Sequence, residues 1–86
     1  MHTVELLEAA LAAAEKAGYR VREEWLGGSG GGGCEIRGQK WLFLDLALDP
    51  SDQLEQVLET LARERASSTA AVPDALKTLL QRRRAA

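Results

Sequence analysis

The chain holds one cysteine, Cys34, and one histidine, His2. Without a second thiol no disulfide can reinforce a small core, and a lone cysteine suits a reducing compartment. A zinc site takes three or four ligands at matched spacing, more than one imidazole and one thiol supply. No metal and no cofactor is therefore expected. An enzyme using Cys34 would need a base beside it, and His2 stands at the fraying start of the chain. Long apolar runs are missing as well: none approaches the ~20 residues that span a bilayer. The opening Met-His-Thr-Val-Glu-Leu-Leu-Glu carries acids where a secretory leader carries bases. These absences point to a cytoplasmic protein with no membrane partner.

Basic charge is scarce in the body of the chain. Residues 1–76 hold 7 Lys and Arg against 13 Asp and Glu, a balance of −6, and the last ten residues hold Lys77, Arg82, Arg83 and Arg84 with no acid, a balance of +4. An acidic body repels nucleic acid, so binding to it is not expected of the body and would fall to the basic C-terminal helix. At 86 residues there is room for one domain, burying only ~60–65% of its unfolded surface.

What is present centres on residues 40–48, Lys-Trp-Leu-Phe-Leu-Asp-Leu-Ala-Leu, the longest apolar run. As a strand it turns Leu42, Leu44, Leu46 and Leu48 to one face, and Trp41, Phe43, Asp45 and Ala47 to the other. Apolar groups on both faces ask for cover on both. Asp45 is expected to pair with an arginine: Arg20, Arg22 or Arg37.

Residues 3–17 read as a helix with Thr3 as its cap, Leu7, Leu11 and Ala14 on one stripe, and Gly18 closing it. Residues 19–26 alternate as a half-solvated strand, with Tyr19, Val21, Glu23 and Trp25 on its apolar side, suggesting an antiparallel edge position. Residues 27–33 hold six of the eight glycines. A phosphate-cradling loop would end in Lys-Ser/Thr and open a helix, whereas the strand-like Cys34-Glu35-Ile36-Arg37 follows here. The segment reads instead as a flexible, disordered hairpin connection. A turn at Gly38 leads into the central strand, and two registers stay open: Gly38-Gln39 as the turn sets Cys34 opposite Phe43, and Arg37-Gly38 sets Glu35 opposite Lys40. A three-residue loop would carry Cys34 and Ile36 to the leucine face. Cys34 is expected as a small buried hydrophobe.

Asp49-Pro50-Ser51-Asp52 starts a second helix, with Leu54, Val57, Leu58 and Leu61 facing the leucines of the sheet. Residues 66–72 read as a small-residue linker, and Pro73 opens a short basic helix.

The segments 14–21, 37–44 and 48–50 together resemble the ImmA/IrrE group of zinc metallopeptidases, in which a helix, a small sheet and a helix bearing His-Glu-x-x-His follow in this order. The corresponding slot is Glu59-Thr60-Leu61-Ala62-Arg63, where Glu59, Thr60 and Arg63 replace the two zinc ligands and the catalytic glutamate. The resemblance spans about half the chain and implies a related fold without peptidase activity. The same element order occurs in double-stranded-RNA-binding domains, whose basic residues at the second helix are replaced here by Asp49 and Asp52.

The expected fold is α+β: an antiparallel three-stranded sheet with two helices on one face over residues 1–66, then a linker and a short C-terminal helix over 67–86. The expected function is a non-enzymatic protein-interaction domain, a homodimer joined through Trp25, Trp41 and Phe43. Two alternatives stand beside it: weak nucleic-acid binding through the basic C-terminal helix, and an enzyme using Cys34.

Overall fold

A computed structural model describes residues 2–64 and 72–85. The elements run α1 (Thr3–Lys16), β1 (Tyr19–Glu24), β2 (Gly32–Ile36), β3 (Gln39–Asp45), α2 (Pro50–Arg63) and α3 (Asp74–Ala85). The architecture is α+β, with three helices and a three-stranded sheet. Most of the linker expected at 66–72 lies outside the described residues, of which only Val72 belongs to it.

The sheet is mixed rather than antiparallel. Its order is β1-β3-β2, with β1 parallel to β3 and β2 antiparallel to it. The expectation assumed that consecutive strands pair, which holds only about two-thirds of the time. Here β1 and β2 are the two edges, and the chain between them crosses the end of β3. Two inter-strand spacings, roughly 10 Å, must be bridged there, and the glycine run is what bridges them.

The β2–β3 hairpin adopts the Arg37-Gly38 turn. Both residues have positive φ, 52° and 80°, as the primed turn that matches strand twist requires. Glu35 therefore lies opposite Lys40 and Cys34 opposite Trp41. Cys34 is exposed rather than buried.

One face of the sheet is covered as the leucine pattern demanded. Leu42 and Leu44 are buried with Leu7, Ala10 and Ala14 of α1 and Leu54, Val57, Leu58 and Leu61 of α2. Asp49 caps α2, accepting a hydrogen bond from the Asp52 amide at 3.0 Å. The N-cap of α1 is His2, which makes no side-chain cap bond, so Thr3 lies inside the helix. Leu76 and Leu80 of α3 are fully buried in the same cluster. The short basic helix is thus part of the core.

Lys40 ties the helix ends to the sheet. Its ammonium donates to the Ala17 carbonyl at 3.0 Å and to Glu64 at 2.8 Å, and lies 5.3 Å from the centre of the Tyr19 ring. The hydrogen bond to Glu64 holds Lys40 above its ordinary value of 10.5. Burial, followed by the Glu64 charge, raises Tyr19 above 10.0. Both groups keep their protons longer in the folded state than in the unfolded one. Their contribution is complete below about pH 10 and is lost as pH rises through the raised values. Wild-type melting temperature should therefore fall above pH 10. A Lys40→Met, Tyr19→Phe variant should show a flatter alkaline limb in the same titration.

Candidate functional site

Two features stand outside the helical core: the uncovered face of the sheet, and the junction where the glycine run crosses the end of β3.

The junction is built on Asp45, which is 1% exposed. Its Oδ1 accepts from the amides of Leu26 at 3.0 Å and Ala47 at 2.9 Å. Its Oδ2 accepts from the amides of Gly28 and Gly30, both at 3.0 Å. The carboxylate thus gathers four backbone N–H groups from the two segments that leave β1 and β3. Asp45 pairs with none of the arginines expected for it: Arg22 pairs with Glu24, Arg20 lies over Trp41, and Arg37 forms the hairpin turn. Burial pushes the Asp45 carboxyl up, but the amides of Ala47, Leu26, Gly30 and Gly28 together bring it below its ordinary 3.8. The Asp45 carbonyl in turn accepts from Gln53 Nε2 at 3.0 Å, fixing the start of α2 to the same point.

The expected flexible connection is therefore a hydrogen-bonded wrap. Its glycines are required by geometry at two positions above all. A Cβ on Gly31 would overlap the Phe43 carbonyl, and one on Gly33 would stand 2.5 Å from Thr60 Cγ2. Thr60 also accepts from the Gly33 amide at 3.1 Å and donates to the Gln56 carbonyl. In the slot compared with His-Glu-x-x-His, Thr60 thus anchors the edge strand, while Glu59 and Arg63 form an i,i+4 ion pair at 2.7 Å.

The face turned away from the helices carries Trp41 and Phe43 side by side, both partly buried, ring centres 6.2 Å apart and planes 19° from parallel. The Arg20 guanidinium lies 5.8 Å from the Trp41 ring centre. Register places Arg20 and Cys34 on either side of Trp41, and Arg22 and Gly32 on either side of Phe43. Ile36, at the far end of β2, is 49% exposed. Beside Phe43 lies an open furrow of about 430 Å³, lined by Leu26, residues 30–33, Cys34 and Phe43. It exists because four consecutive residues offer no side chain to fill it.

The third aromatic expected at an interface is Trp25. Trp25 is 73% exposed and lies one residue past the end of β1, where the alternation continues the Tyr19, Val21 and Glu23 side. Leu46, 46% exposed, stands at the corresponding end of β3, its amide donating to the Glu24 carbonyl. Ile36 and the furrow were missed from sequence because the hairpin register was open. The role of Asp45 had a signal: a glycine-rich crossing presents unpaired amides, and a carboxylate at the end of the central strand is the acceptor nearest to them.

No helix of the described residues is long and apolar enough to cross a membrane. Comparisons with protein-family models, with curated proteins and with solved structures return no match for this chain.

Proposed function

We propose that the protein is a small non-enzymatic interaction domain, cytoplasmic in setting, that pairs with a second copy through the open face of its sheet, with Trp41 and Phe43 near the centre. The observation that carries this proposal is the position of the stacked Trp41–Phe43 pair on the face opposite the helical layer. All three helices contribute to the other side, Leu76 and Leu80 of α3 included. Adjacent aromatics on an uncovered face form a patch of the kind that marks an interface. Both rings are already partly buried, so covering what remains would gain on the order of 1 kcal/mol per ring by area. Nucleic-acid binding through the C-terminal helix is less supported, since Arg83 is already paired with Glu55 of α2.

Light scattering across a concentration series tests the proposal. A dimer is expected at micromolar concentration, with affinity little changed by added salt. The Trp41→Ala, Phe43→Ala double variant should run as a monomer with unchanged helical circular dichroism. A wild-type monomer at high micromolar concentration would show the proposal to be wrong. So would a double variant that unfolds instead of dissociating, since the rings would then belong to the core.

A further inference from the structure

We infer that two copies pair with β2 crossing β2 about a two-fold axis at Cys34, the Ile36 side chain of each copy seated in the glycine furrow of the other. This pairing rests on the self-association proposed above and adds where the axis passes and what fills the furrow.

The strand β2 presents Cys34 and Ile36 to the open face, in register with Trp41 and Gln39, and the backbone of Gly32 lies in register with Phe43. One end of that row is a hollow, the furrow at Gly32 walled by Phe43. The other end is a projection, Ile36, half of whose surface is exposed. Hollow and projection each lie two residues from Cys34, about 7 Å along the strand. A two-fold axis across the strand at Cys34 therefore sets Ile36 of one copy over Gly32 of the other, and does the same in return. Such a contact closes on itself and stops at two copies. It also brings the two Trp41 rings beside the axis, because Trp41 lies opposite Cys34.

Charge allows the approach. The open-face residues of β2 and β3 between the furrow and the turn are Gly32, Cys34, Ile36, Gln39, Trp41 and Phe43, all uncharged. Of the charged open-face residues of β1, the opposite edge, Arg22 is paired with Glu24, and the Arg20 guanidinium, which lies over Trp41, is the one charge that comes near the axis. Pairing edge to edge into one continuous sheet would have to do without the Gly33 amide, which is bound to Thr60 Oγ1.

Two measurements on the full chain test the geometry. Cys34 is the only cysteine, so a bis-maleimide with a short spacer should convert the dimer to a single covalent species. Ile36→Asp places a charge in the partner's apolar furrow and should raise the dissociation constant by about tenfold or more. The same variant should lose the cross-link, while its monomer melts as wild type does because Ile36 is half exposed. A dimer that survives Ile36→Asp, or one whose Cys34 thiols fail to cross-link, overturns this arrangement and leaves self-association standing. A wild-type chain that stays monomeric at high micromolar concentration overturns both.

Discussion

Replacing Asp45 by Asn should lower the melting temperature by about 10 °C or more, a large loss for a chain of this size. The carboxylate has two oxygens that accept two amides each, from Leu26 and Ala47 on one and from Gly28 and Gly30 on the other. An asparagine amide has one acceptor oxygen, and its NH₂ would face amide donors with nothing to accept from it. At least two buried N–H groups would be left unpaired, and leaving such groups unmade costs more than a typical hydrogen bond contributes. The pH dependence carries the sign. Folded Asp45 sits below its ordinary 3.8, so its contribution is complete above about pH 4 and is lost as pH falls through the folded value. Wild type and Asp45→Asn should differ most near neutral pH and converge in acid. Thermal melts from pH 7 down to pH 2 would show this. A constant gap across that range would mean that the ionised form is not what holds the junction.

Gly31→Ala should be comparably damaging, for a steric reason. The added methyl would meet the Phe43 carbonyl, a backbone atom held in the ladder of the central strand. The wrap would have to lift away from β3, at a cost of roughly 3 kcal/mol or more, the upper end for forcing a methyl into a closed site. Gly28→Ala is the informative comparison. Nothing stands within 4 Å of a Cβ there, but its φ of +83° remains, so only the left-handed cost of about 1–2 kcal/mol applies. Urea unfolding of both variants would separate the two effects. Equal losses would mean that close approach to Phe43 is not the constraint at Gly31.

The parts of this fold that were readable from sequence are those set by short periodicities. Asp49-Pro50 and the Leu54, Val57, Leu58, Leu61 stripe fixed α2 because a cap, a proline and a 3.6-residue repeat all agree there. The alternation read over residues 40–48 likewise placed Leu42 and Leu44 toward the helices and Trp41 and Phe43 away from them, but the strand stops at Asp45 and leaves Leu46 exposed. The sheet order was not readable. Alternation reports which face a residue is on and is silent about which strand lies beside it, so it carries no sign that β1 runs parallel to β3. The glycine run misled for a related reason. A chain of residues without side chains looks loose until the acceptor for its amides is identified, and here that acceptor is 15 to 19 residues downstream. Trp25, expected beside Trp41 and Phe43 at an interface, lies one residue past the end of β1 and is exposed.

The strand order also has a kinetic consequence. The β2–β3 hairpin closes over a two-residue turn, whereas β1 must find β3 across 21 residues, from Tyr19 to Lys40. Contacts that close long loops tend to form late. The amides of Leu26, Gly28 and Gly30 can converge on Asp45 only once β1 has docked and the crossing is complete. Asp45 would thus act as a latch thrown at the end of folding. Its loss should leave the refolding rate nearly unchanged and appear almost entirely as faster unfolding, giving the protein its resistance to transient opening at the strand ends.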